Sequence, residues 1–113
     1  MPNLREAPQN IVVRTINGEP VFLTSITIAS SSTPVASAAM AGGLGICVES
    51  TGDVYVGFGA NTAEAITNAT AARGNACLAD SPRYFVLRTT TLYAAAVLKS
   101  GSTSTTVKIS EMV

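Results

Sequence analysis

Residues 92–98, Leu-Tyr-Ala-Ala-Ala-Val-Leu, are apolar on both faces of an extended chain. Side chains alternate across a strand, so Leu92, Ala94, Ala96 and Leu98 share one side and Tyr93, Ala95 and Val97 the other. Leaving either side in water forfeits hydrophobic stabilisation. Such a strand is either central in a two-layer fold or pressed against another subunit. Leu92, Tyr93, Ala95 and Val97 are therefore the candidate subunit contacts.

The rest of the chain repeats the period of two. Residues 21–29, Val-Phe-Leu-Thr-Ser-Ile-Thr-Ile-Ala, place Phe22, Thr24, Ile26 and Ile28 on one face. Residues 44–50 put Leu44, Ile46 and Val48 together, and residues 54–59 put Val54, Val56 and Phe58 together. Thr-Gly-Asp at 51–53 predicts that these two runs form one hairpin. Residues 83–90 and 105–113 read as further strands, with Ser-Gly-Ser-Thr-Ser at 100–104 as a hairpin tip. Asn17-Gly18 marks a tight turn after a short strand at 11–15. Residues 30–43 read as a small-residue loop with one short extended piece. Residues 60–76 contain helix formers and a capping Asn61 or Thr62. Ile66 is the one large apolar residue there, so a long loop with at most one helical turn is expected. The sum is an all-β chain: a β-sandwich or jelly-roll-like small barrel of six to eight short antiparallel strands. Residues 1–20 form an N-terminal arm that can contribute a strand, and residues 21–113 form the sandwich domain.

The sequence offers little for catalysis. It has no histidine, which removes the commonest general base and metal ligand. Gly57-Phe58-Gly59 has neither the third glycine of a dinucleotide fingerprint nor the lysine of a phosphate-binding loop. These glycines read as the end of a strand. Cys47 and Cys77 cannot make a four-ligand zinc site without histidine. They read as two buried free thiols, with a disulfide as the alternative. Glu49 and Asp53 flank a turn and read as solvated. Asn68-Ala69-Thr70 matches a glycosylation sequon, but nothing indicates secretion. No catalytic, metal or cofactor residue is assigned, no cofactor is expected, and the chain is not expected to be an enzyme.

Charge narrows the partners. Charged residues are 12% of the chain and the net charge is zero, against roughly 25% charged residues in an average domain. No basic excess attracts nucleic acid or anionic lipid. Weak electrostatic repulsion between copies suits a protein that hides surface in an assembly. No signal peptide is visible in the first residues, and no apolar stretch approaches a membrane span. Synthesis in a cytoplasm is expected.

The order of pieces resembles a weakly charged β domain of tailed-bacteriophage virions, found in head-decoration, head-fibre and tail-associated proteins. The likeness runs over about residues 22–113. It is carried by "SITIASSSTPVA", "VYVGFG", a Thr/Asn/Ala-rich loop, "RGNACLADSPRYFVL" and "TLYAAAVLKSGSTSTTVKISEMV". Members usually carry glycine near the position of Ala79-Asp80-Ser81; this chain has none there, so that turn is expected to differ. The resemblance implies a structural role: a homotrimer attached to the major capsid protein or another virion protein, with no catalytic residues. The expected function is capsid decoration or cementing, and the expected location is the virion. The alternative is a tail or fibre component that binds a host glycan. Ile11, Val12, Val13 and Arg14 have the β-branched character to dock by adding a strand to an exposed sheet edge. They serve equally as the domain's own first strand.

Overall fold

The computed structural model describes residues 5–6, 15–16, 19–20, 22–41, 45–86, 91–101 and 103–112. In chain order the elements are β1 (Arg5–Glu6), β2 (Thr15–Ile16), β3 (Glu19–Pro20), β4 (Phe22–Ile28), β5 (Val35–Ala36) and β6 (Met40–Ala41). They continue with β7 (Gly45–Ser50), β8 (Val54–Gly59), α1 (Thr62–Asn68), β9 (Asn75–Cys77), β10 (Arg83–Val86), β11 (Thr91–Leu98) and β12 (Thr105–Met112).

Among the described residues the strands make two large antiparallel sheets and a separate two-stranded one, β2-β3. The first has the order β1-β10-β7-β12-β4; the second runs β5-β11-β8-β9, with β6 also on β11. Their inner faces form one core. The first sheet contributes Ile26, Ile28, Ile46, Val48, Phe85, Val107 and Ile109, and the second contributes Val54, Val56, Phe58, Leu92, Ala94, Ala96 and Leu98. Phe58 and Phe85 meet edge to face across the layer, ring centroids 5.4 Å apart, a favoured aromatic geometry. The chain is an all-β sandwich, as the period-two runs predict; Ile26 and Ile28 of β4, Ile46 and Val48 of β7, and Val54, Val56 and Phe58 of β8 are buried as expected, whereas Thr24 is half-buried.

Pairing corrects two expectations. β7 and β8 are not a hairpin: β7 pairs with β10 and β12, and β8 with β11 and β9. Likewise β11 and β12 lie in different sheets. Thr51–Asp53 carry the chain from one sheet to the other, and β12 follows β11 into the opposite sheet. The physical reason is that each of these runs has an apolar face, and those faces bury each other best when opposed across a core. The first crossing is fastened by its neighbours. Thr51 N donates to Thr106 O (3.1 Å), Thr106 N donates to Thr51 Oγ1 (3.0 Å), and Lys99 N donates to Asp53 O (3.1 Å).

The loop at 30–43 supplies two short strands, β5 and β6, on the same edge of β11. Between them the ladder breaks and Ser37 repairs it: its N–H donates to Ala94 O (2.7 Å) while its Oγ accepts from Ala94 N (3.0 Å). β9 is an edge strand, and Arg83 Nη1 donates to its Ala76 carbonyl (3.0 Å), which blunts an edge open to unwanted pairing. In the N-terminal region, Arg5–Glu6 pairs with β10 at the edge of the first sheet, and β2 pairs with β3; Asn17-Gly18 lies outside the described residues. The strand expected at 11–15 lies outside the described residues except Thr15, which is in β2.

Candidate functional site

The second face of β11 was the reason to expect a neighbouring subunit, and here the structure gives a different answer. Residues 62–68 form a two-turn helix, not a loop with one turn, and it lies on that face. Asn61 caps it, its Oδ1 accepting from Glu64 N at 2.8 Å. Ala65 and Ala69 pack on Ala95, with Ala36, Ile66 and Tyr93 around them.

The helix needs no large apolar residue because Gly57 and Gly59 of β8 let it approach the sheet backbone. A Cβ at Gly57 would stand 2.3 Å from both Ala69 N and Asn68 C. A Cβ at Gly59 would stand 2.7 Å from Ala65 N. The two glycines are thus a seat for α1, which sets aside both the phosphate reading and the view of them as mere strand ends. Asn68 locks the seat: it is buried, and its Nδ2 donates to Phe58 O at 2.8 Å. The sequon nitrogen is therefore engaged in the fold.

Among the expected subunit contacts, Leu92 lies in the core, Ala95 lies beneath α1, Val97 is buried, and Tyr93 is half-buried against the helix cluster. The chain covers most of its own two-faced strand, with a core on one side and a helix on the other, and of these four residues Tyr93 alone keeps part of its surface open. The expected docking residues Ile11, Val12, Val13 and Arg14 lie outside the described residues.

Cys47 and Cys77 are both free and buried. Cys77 belongs to the core between the sheets, whereas Cys47 alternates with the inward Ile46 and Val48 and so lies on the opposite side of the first sheet. The intervening sheet explains why they do not pair. Burial pushes both thiols up to about 11, with the nearby Glu49 charge adding to the effect at Cys47. The Cys47 thiol is 3.9 Å from Glu49 Oε1. Ser110 faces Cys47 in the ladder, and its buried Oγ has no hydrogen-bond partner among the described residues. Asp53 is fastened rather than merely solvated: its Oδ1 accepts from Ala79 N at 2.8 Å. This bond, with Asp80 N donating to Ser50 O at 3.0 Å, ties the 78–82 turn to the 50–53 crossing. Asp80 has φ 57°, a left-handed conformation that aspartate tolerates better than most residues.

Among the described residues no group of three or more His, Cys, Asp and Glu converges on a metal position, and no helix is long and apolar enough to cross a membrane. Of the clefts lined by polar side chains among the described residues, two lie away from α1's outer side, where Glu64, Thr67 and Arg73 line another. One, of about 290 Å3, lies between Glu49, Asp80, Thr106 and Lys108. The other, of about 190 Å3, lies past the C-terminal end of α1 around Tyr55 and Lys99. There the Lys99 Nζ stands 5.6 Å from the centre of the Tyr55 ring, within cation–π range. No motif in the sequence links Tyr55 to Lys99. Their meeting depends on the Val97–Tyr55 pairing of β11 with β8, which no local pattern specifies. Comparisons of the chain with protein-family models, with curated proteins and with solved structures find no match.

Proposed function

We propose that this chain is a structural protein of a tailed-bacteriophage virion that binds the assembled capsid lattice and stabilises it as a decoration or cement protein. The observation that carries this reading is a β-sandwich with 12% charged residues and zero net charge, its pieces in the order of the virion domains it resembles. The mechanism is mass action. A protein that binds the assembled lattice and not its free subunits favours assembly. Presentation as a homotrimer gives many weak contacts a joint avidity. Leu92, Ala95 and Val97 are buried within the chain, so the proposed trimer contact draws on other residues.

The N-terminal residues 1–20 are the proposed docking arm, acting on the major capsid protein or another virion protein. The test is to add the full chain, and variants lacking residues 1–10 or 1–20, to undecorated heads, then measure copies bound per particle. The truncated proteins are expected to keep the strand-rich circular dichroism spectrum and to bind fewer copies. Equal decoration by folded truncated protein would remove the arm from the account. Binding to tails rather than heads by the full chain would favour the second reading, a tail or fibre component with a glycan-binding role. The Tyr55 cleft is the observation on its side.

A further inference from the structure

The cleft past α1 is built from four segments that the fold fixes in place. Its floor is the cross-strand pair Tyr55–Val97. One wall contains Ser31 and Ser32; the other contains Thr70. Ser30 organises the first wall: its Oγ accepts from Ser32 N (3.1 Å) and Thr33 N (3.0 Å), and its carbonyl accepts from Leu98 N (2.9 Å). Thr70 organises the second, its carbonyl accepting from Gly74 N (2.7 Å) and its Oγ1 from Arg73 N (3.2 Å). Lys99 closes the end, its backbone N–H held by Asp53 O. Among the described lining residues the one formal charge is that of Lys99, and no carboxylate faces it. The cleft at Glu49 and Asp80 differs on both counts, since its lining carries both signs of charge and no aromatic ring.

An aromatic face bordered by hydroxyls suits a sugar ring. The apolar C–H face of a pyranose stacks on the phenol, and its hydroxyls exchange hydrogen bonds with serine and threonine. A lysine at the edge adds a preference for a carboxylate through a charge-assisted hydrogen bond. Its four-carbon stem lets the ammonium leave the ring face to meet that group. We infer that the Tyr55–Lys99 cleft binds a single saccharide unit bearing a carboxylate, of the uronic-acid type, exposed on a glycan. The volume of about 190 Å3 is below the roughly 300–1,000 Å3 of pockets that enclose drug-sized ligands. One ring therefore fills the cleft, affinity per copy is weak, and repeated copies supply the strength. This inference goes beyond the decoration reading and holds for a protein on either head or tail.

The test is a two-dimensional amide NMR titration of the full chain with glucuronate, glucose and acetate in turn. Glucuronate is expected to cause saturable shifts at Tyr55, Val97, Thr70 and Ser32, with glucose about tenfold weaker and acetate causing no saturable shift. Lys99→Gln should bring glucuronate down to the level of glucose and leave glucose unchanged. Tyr55→Leu should abolish both responses while the amide pattern of the first sheet stays intact; Tyr55→Phe should retain them. Three results would overturn the inference. One is an absence of saturable shifts in the cleft with either sugar. Another is equal affinity for the two sugars in the unaltered chain. The third is acetate matching glucuronate, which would leave a carboxylate site and no saccharide site.

Discussion

Asp80 shows a left-handed turn position filled by a residue other than glycine. The Ala79-Asp80-Ser81 stretch has no glycine, and the aspartate itself adopts φ 57°. Its N–H still reaches Ser50 O, so the turn is closed without glycine. A β-branched side chain at such a φ is strained, by roughly 1–2 kcal/mol. Asp80→Val is expected to lower the urea midpoint by that order, whereas Asp80→Gly should leave it within about 0.5 kcal/mol of the unaltered protein. A Val variant as stable as the Gly variant would mean the turn relaxes to another conformation. The sequence shows the missing glycine but cannot show the angle, because aspartate is equally at home in ordinary turns.

Sequence reading, which expects a loop over 60–76, missed both α1 and the start of β9, and for α1 the reason is specific. Helix expectation rests on a stripe of large apolar residues, and Ile66 alone is too little for one. The compensating signal sits in another element, in the Gly57-Phe58-Gly59 run of β8, and acquires meaning only once the two are packed. Gly57→Ala tests this seat. Its new Cβ would meet helix backbone at 2.3 Å, so no side-chain rotation relieves it and α1 must lift. Overpacking of this kind costs typically 1–3 kcal/mol, and the upper end is expected here, read as a lower urea midpoint with an unchanged slope. A near-neutral Gly57→Ala would show that α1 is not seated on β8. The long strands were legible as β-branched and apolar runs bounded by turn residues, even where, as in β7, β8 and β11, both faces are largely buried. Their partners were not: a turn signal such as Thr-Gly-Asp tells where the chain reverses, not whether the next strand joins the same sheet. The Tyr55–Lys99 cleft was illegible for the same cause.

For the molecule as a whole, the two thiols give a pH signature. Their unfolded value is 9.0 and the folded value about 11 for each. Below pH 9 both states hold the proton and the thiols contribute no pH dependence. As pH rises from 9 to 11 the unfolded chain releases protons that the folded chain keeps, so stability falls. The urea midpoint is expected to drop over this window, and to drop less in a Cys47→Ala, Cys77→Ala double variant. Equal slopes in the two proteins would count against the buried placement. Consistent with that placement, iodoacetamide at pH 8 should label neither thiol until urea is added, because a buried neutral thiol is a poor nucleophile.

The first sheet has a further consequence, which concerns time. β4 takes its place there against β12, although residues 22–28 and 105–112 are far apart along the chain. β7 also has β12 as a neighbour. A ribosome delivering this chain releases β4 and β7 long before the strand that joins them exists. Closure over so long a separation is slow, and until it happens the apolar faces of both strands stay open to other nascent chains. The interval before residues 105–112 arrive is therefore when synthesis of this protein is most exposed to aggregation.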